Sequence, residues 1–280
     1  MKQRRKMITA LVATAALAVT LTGCAGGGSG DVAADCQPKH EFSTIKDGTL
    51  SVVLYDLPPF SKLDNGAITG VDGDIMTEFA KEECLTITAT SAATSANIPT
   101  VQAGRADVSI AAWYRTQARS EIVLLSDPIY TDQMAIISKD GLSSVSELEG
   151  QTVGTVDGYL WVEDMRAVLG DKLKIYPTTL NMNQDLAAGR IDIGIDSYGS
   201  ATHNNTDNKF KVEVVQPDER VAASQEAAQI AIPVAPGNEA LVTAINDFIK
   251  VIREDGRLEK ILVDNGLDAT AADTGDPRLI

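Results

Sequence analysis

The chain of 280 residues is short of cysteine (3), of histidine (2), of aromatic side chains (5%) and of positive charge, with 24 Lys and Arg against 39 Asp and Glu. Three cysteines and two histidines, His40 and His203, cannot build a Cys/His metal site unless carboxylates join them. HExxH, GxSxG, the phosphate loop GxxxxGK[ST] and GxGxxG are all missing. That removes the zinc peptidase, the serine hydrolase elbow and the nucleotide-binding loops that those spacings build. The deficit of Lys and Arg excludes an electrostatic footprint for nucleic acid. After Leu21 no run is long and apolar enough to span a bilayer. No cofactor and no metal is expected. Asp72 and Asp74 read as acids at a helix start, because the glycine and acid spacing of a calcium loop is absent.

What is present begins with a targeting segment. Lys2, Arg4, Arg5 and Lys6 form a positive n-region, and Met7–Leu21 is apolar apart from scattered threonines. It ends in Leu21-Thr22-Gly23-Cys24, which resembles the lipobox of bacterial lipoproteins, where the Cys becomes the lipidated first residue. The alternative is an ordinary signal peptide with a coincidental Cys. The segment before Cys24 holds four basic residues and no acid, so the processed chain has 20 basic against 39 acidic residues, a net charge of −19. An anionic membrane would repel it, so lipid at Cys24 has to supply the anchor. AGGGSGDVAAD follows, too rich in Gly and small residues to bury a core. Residues 24–47 are expected to be a flexible tether, or a plain disordered terminus if Cys24 is not lipidated.

The folded part is expected from Gly48. Thr49–Tyr55 reads as a buried strand, stopped by Asp56-Leu57-Pro58-Pro59-Phe60. Ile75, Met76, Phe79 and Ala80 recur at helical spacing, Leu85–Thr90 reads as a strand, and Asn97-Ile98-Pro99 as a helix start. Asp107–Ala111 is the next strand, and it runs into Trp113, Tyr114, Arg115 and Arg119. Aromatics and guanidinium groups at a strand end suggest a cleft for a small anionic group, since an Arg fork holds a carboxylate in two places. The alternative is two solvated arginines.

An internal echo supports the cleft. Ala103-Gly104-Arg105-Ala106-Asp107-Val108 is matched by Ala188-Gly189-Arg190-Ile191-Asp192-Ile193, each a helix end running into a strand. Two similarly built α/β lobes would place Ala111–Tyr114 and Asp196–Tyr198 on facing walls, at the carboxyl ends of strands. The second lobe reads consistently, with a capping box at Ser144–Glu147, strands at Thr152–Val156 and Lys211–Val215, a helix from near Tyr159 and a possible cap at Asn181–Gln184. Leu241–Arg253 is amphipathic, Gly256 ends it, and Leu258–Val263 adds a helical turn or two. Asp268–Ile280 is expected to be a loose tail.

The order of these elements resembles the solute-binding proteins for polar amino acids that serve ATP-driven importers. The matching stretches are YDLPPF at Tyr55–Phe60, GVDGDI at Gly70–Ile75, AGRADV at Ala103–Val108, TQAR at Thr116–Arg119, SDPIY at Ser126–Tyr130, ELEGQTVGTVDG at Glu147–Gly158, AGRIDIGIDS at Ala188–Ser197 and EDGRLEKI at Glu254–Ile261. The resemblance implies an α/β, two-lobed periplasmic-binding-protein-like type II fold, each lobe a mixed sheet flanked by helices. Residues 48–132 and 229–267 would form lobe 1 and residues 133–228 lobe 2, joined by crossover segments near Gln133 and Ala228. It implies a monomer with an interlobe cleft for an amino acid or related zwitterion, and an ABC transporter permease as partner. Arg119 would clamp the ligand carboxylate, an acid after the second-lobe strand its ammonium, and aromatics near Tyr55 and Phe60 its side chain. Three departures stand out. Ala111-Ala112-Trp113 replaces small hydroxyl or Gly residues, Tyr159-Leu160 replaces a frequent Thr-Thr pair, and the usual acid falls at Ser197, with Asp196 one place early.

The candidate ligand-binding set is therefore Tyr55, Phe60, Trp113, Tyr114, Arg119, Asp157, Tyr159, Asp196, Ser197 and Tyr198, while one or both of Trp161 and Tyr130 read as core. Arg119 is expected to hold an anionic group and Asp196 a cationic one. Asp196 as a mere cap, with Ser197 or Asp157 facing the ligand, is the alternative. A binding protein is favoured over a dehydratase-like enzyme on the same scaffold, for which Asp157, Asp196 or Glu163 would be the tuned acid or base, and over a sensor lobe for a membrane receptor. Outside the cytoplasm, and with Cys24 taken by lipid, Cys36 and Cys84 are expected to pair, the alternative being two free thiols.

Overall fold

The structure is a computed structural model and describes residues 32, 33 and 35–280. The n-region, the apolar run and the lipidation site expected at Cys24 lie outside the described residues. Two five-stranded mixed sheets organise the rest. The first has the strand order Thr86–Ser91, Thr49–Leu54, Val108–Ile110, Pro233–Val234, Leu124–Leu125. Its first three strands are parallel, and Pro233–Val234 runs antiparallel to both neighbours. The second has the order Leu173–Tyr176, Val153–Val156, Ile193–Ser197, Met134–Ser138, Lys211–Val214. Its first three strands are again parallel, and Met134–Ser138 is antiparallel to the strands on either side.

Burial explains why these stretches are strands. Four parallel-sheet residues in a row, Val153–Val156, are buried, as a sheet covered on both faces requires. Helices Val71–Glu82, Thr94–Gln102 and Glu239–Glu254 cover the first sheet, and Val162–Leu169, Thr179–Ala187 and Tyr198–Asn204 cover the second. Helix Glu239–Glu254 buries Leu241, Ala244, Ile245, Phe248, Ile249 and Ile252, one stripe at helical spacing. The chain passes between the sheets twice. Thr131–Asp132 and Ala228–Ala231 pair antiparallel there, and Trp113–Tyr114 pairs with the other edge of Ala228–Ala231. The two aromatics therefore sit on the ribbon that joins the lobes.

Several boundaries differ from the sequence reading. The helix expected from Asn97 begins at Thr94, because Asn97 works from inside its first turn, its amide donating to Ala93 O at 2.8 Å. Thr178, not Asn181, caps the helix Thr179–Ala187, accepting from Asn181 N at 3.2 Å. The helix expected from Tyr159 begins at Val162, which leaves 159–161 as an irregular segment at the mouth of the cleft.

Residues 35–47 and the C-terminal tail correct the expectation of loose segments. The tether does not extend to residue 47. Cys36 and Cys84 are joined in a disulfide, Lys39 N and His40 N both donate to Glu83 Oε2 at 3.1 Å, and Ile45 N donates to Asp107 Oδ1 at 2.9 Å. Phe42 stacks on Phe79 at 6.1 Å between ring centroids. The segment is polar in composition, but its backbone donors find buried carboxylates. The tail Asp268–Ile280 is likewise docked. Gln229 Nε2 donates to Thr274 O and Asp276 O at 2.8 Å, Arg278 N donates to Gln229 Oε1 at 2.8 Å, and Ile280 and Arg115 are joined by a 3.1 Å backbone bond. Arg253 donates to Ala272 O. The main chain, which composition does not reveal, holds this tail.

Candidate functional site

The cleft between the lobes begins with an acid on the first helix. Asp72 is fully buried and accepts from Ala111 N at 3.0 Å, Ala112 N at 2.7 Å and the Tyr130 hydroxyl at 2.7 Å. Those bonds hold the end of strand Val108–Ile110 in a conformation that L-residues rarely adopt, with φ 145° at Ala111 and 50° at Ala112. The kink ends the strand at Ile110 and delivers Trp113 and Tyr114 to the cleft. The sequence reading had Asp72 as a helix-start acid only. Burial raises its pKa to about 6, against the three donors that favour the ionised form.

Arg119 follows on a short helix, Gln117–Ser120, capped by the Thr116 hydroxyl. Its guanidinium lies 4.9 Å over the Trp113 ring and donates to Tyr114 O at 2.7 Å. It forms no ion pair with any described residue, and desolvation lowers its pKa to about 10. A desolvated cation facing a cavity without a carboxylate partner is chemically able to take an anion.

A small cavity lies beside it, between the lobes. Tyr55, Leu57, Ala112, Trp113, Tyr114 and Arg119 line it from the first lobe, and Gly158, Tyr159, Leu160, Trp161 and Ser197 from the second. The rings meet across the lobe boundary, Tyr55 and Tyr159 at 6.4 Å and Tyr114 and Trp161 at 6.2 Å. The lobes also touch where Gly158 packs on the backbone of Ser95, and where Gly199 packs on the Phe60 ring. A Cβ at Gly199 would stand 2.4 Å from Phe60 Cζ.

Of the ten expected ligand-binding residues, the structure brings six to this cavity: Tyr55, Trp113, Tyr114, Arg119, Tyr159 and Ser197. Phe60 is fully buried and stacks on Tyr130 at 5.8 Å, behind the cleft. Asp157 is exposed, because Gly158 turns the chain away at φ 80°. Tyr198, 42% exposed, lines a separate cavity at the back of the crossover with Asp132 and Gly199. Asp196 lies beneath the cavity, not on its wall. Its carboxylate accepts from Ser197 N at 2.8 Å and the Ser200 hydroxyl at 3.1 Å, and the Tyr159 hydroxyl also supports its ionised form. Burial nonetheless lifts its pKa to about 7. Trp161, a core candidate in the sequence, stands in the wall; its position next to a glycine turn was the available signal.

Comparison with known proteins gives a consistent result. Residues 51–264 match the sequence profile of the bacterial extracellular solute-binding proteins, family 3. The arginine-binding protein 1 of an ABC transporter in Escherichia coli K12 is 28% identical over 73% of this chain and 84% of its own. A probable histidine-binding protein of Neisseria gonorrhoeae is 26% identical over 92% of this chain and 94% of its own. The crystal structure of a substrate-binding protein of an amino-acid ABC transporter superposes with a TM-score of 0.70 at 26% identity, covering 78% of this chain and 99% of that one.

Proposed function

This chain belongs to the bacterial extracellular solute-binding proteins of family 3, and we propose that it captures a small zwitterionic solute between its lobes and delivers it to an ABC importer. The solute is an amino acid or a close relative of one, as the names of the arginine- and histidine-binding relatives suggest. One observation carries the reading: Arg119, desolvated and without an acidic partner among the described residues, opens onto a cavity whose walls come from both lobes. An anionic group on the solute completes Arg119, and the facing wall engages only when the lobes meet, so binding rewards closure. The protein works as a monomer, held at the outer face of the membrane by lipid on Cys24.

Two experiments test this. In a calorimetric titration against the standard amino acids and their N-methylated relatives, at least one solute should bind and be recovered chemically intact by mass spectrometry. Recovery of an altered molecule would install the enzyme reading instead. Replacing Cys24 by Ala should release the protein into the medium, and continued membrane retention would overturn the anchor.

A further inference from the structure

Which zwitterion fits depends on what the walls offer a cation, and here the site is unusual. Five rings, Tyr55, Trp113, Tyr114, Tyr159 and Trp161, surround the space beside Arg119. They pack at one another's edges, Tyr55 on Trp113 at 5.6 Å with planes at 70°, and Tyr159 on Trp161 at 5.1 Å with planes at 75°. Their polar tips are tied back into the protein. Trp113 Nε1 donates to Ser109 Oγ and Trp161 Nε1 to Thr155 Oγ1, both at 2.8 Å. The hydroxyl of Tyr55 donates to Ala111 O at 3.4 Å, that of Tyr114 to Asp132 at 3.3 Å, and that of Tyr159 pairs with Thr179 at 3.1 Å. Apart from Arg119 and Ser197, whose Oγ already accepts from Ser200 N at 3.3 Å, the lining is hydrocarbon and ring surface.

A primary ammonium carries three N–H donors and needs acceptors for them when it leaves water. Among the described residues no carboxylate lines this cavity, and the oxygens of Asp196 beneath it are taken by Ser197, Ser200 and Tyr159. A cation with no N–H leaves no such debt. Its charge is spread over methyl groups, it packs against ring faces, and their quadrupoles attract it. The carboxyl group of Asp196 lies behind the rings, close enough to act on Tyr55 and Tyr159, and becomes negative as pH rises through its pKa of about 7.

We propose that the solute is a zwitterion whose ammonium is N-methylated, seated in the cage of Tyr55, Trp113, Tyr114, Tyr159 and Trp161, with its carboxylate on Arg119. This rests on the solute-binding reading above and names the ligand class for the same site. Tyr159 and Trp161 come from the second lobe and the other three rings from the first, so the cage is complete only in the closed protein.

The test is a calorimetric series on the full chain with glycine carrying none, one, two or three N-methyl groups. Beside it runs 3,3-dimethylbutanoate, in which carbon replaces the charged nitrogen of the trimethylated form, and a thermal-shift screen of the standard amino acids. Affinity should rise with each methyl, and N,N,N-trimethylglycine should bind about tenfold or more tighter than both glycine and the uncharged isostere, as a desolvated cation over several rings implies. Tyr159→Leu should weaken the trimethylated solute by about tenfold, and Tyr159→Phe, which keeps the ring, by no more than about threefold. Equal binding of the uncharged isostere would overturn the proposal. So would a primary amino acid that outbinds the methylated series, an outcome that leaves the solute-binding function standing. Silence from the whole series and from the standard amino acids would overturn both.

Discussion

Arg119→Met separates a binding arginine from a structural one, because the two roles predict opposite effects on the empty protein. Burial lowers the pKa of Arg119 from 12.5 to about 10, and no described carboxylate offsets it. At ~1.4 kcal/mol per tenfold this corresponds to about 3 kcal/mol of uncompensated charge burial, which solvent at the cavity mouth reduces to about 1–3 kcal/mol. Met keeps an unbranched side chain and removes the charge. Against that gain stands the lost bond to Tyr114 O and the lost contact with Trp113, each about 0.5–1.5 kcal/mol. The ligand-free variant should therefore unfold in urea with a stability within about 1 kcal/mol of the parent, or above it. Binding should collapse, since losing one side of a buried charge pair costs about 2–5 kcal/mol, on the order of thirtyfold to a thousandfold or more. Calorimetry with the tightest solute of the panel reads the second quantity. Arg119→Lys should fall between the two, keeping the charge without the fork. A variant that loses more than about 2 kcal/mol of stability while its affinity holds would make Arg119 a brace for the Tyr114 loop and refute the assignment.

Other expectations follow from the same contacts. Gly199→Ala places a methyl against Phe60, which stacking on Tyr130 holds in place. Overpacking of about 1–3 kcal/mol borne by the closed state should lower affinity by about tenfold or more, and Phe60→Leu in the same chain should restore part of it. Asp72, Asp132 and Asp196 have pKa values raised by burial from 3.8 to about 6, 6 and 7. Between about pH 4 and 7 the folded chain thus holds protons that the unfolded chain has released. These three groups make stability fall as pH rises through that window. Urea unfolding at several pH values should show Asp196→Asn flattening that decline, and an unchanged slope in the variant would contradict it. Replacing Cys36 and Cys84 by Ser frees a loop with a sequence separation of 48 and should cost about 2–4 kcal/mol of unfolding free energy, with solute affinity unchanged because neither cysteine lines the cavity.

Local chemistry by itself determined the elements and several of their ends. Helix Glu239–Glu254 follows from six apolar residues on one stripe, and the capping box at Ser144 and Glu147 forms as its spacing requires. The echo at Gly104 and Gly189 is real in backbone terms, with φ 63° and 70° at matching helix ends. Those signals lie within a turn or two of chain, where period and φ preference act. Four of the five rings of the wall, Tyr55, Trp113, Tyr114 and Tyr159, were also legible as aromatics beside turns at strand ends, and Trp161 was not. What only the tertiary structure decided is which way each buried group faces. Phe60 and Tyr55 are both apolar and close in sequence, yet one stacks behind the cleft on Tyr130 and the other lines it. Asp196 sits where a ligand contact was expected, but backbone and hydroxyl donors of its own lobe claim it first. Asp72 finds its partners at Ala111 and Ala112, some forty residues on, and through them aims Trp113. Spacing reports burial; it does not say whether the covering surface is the residue's own core or the opposite lobe. That choice is made by contacts between residues far apart in the chain, which satisfy buried polar groups and carry no local signature.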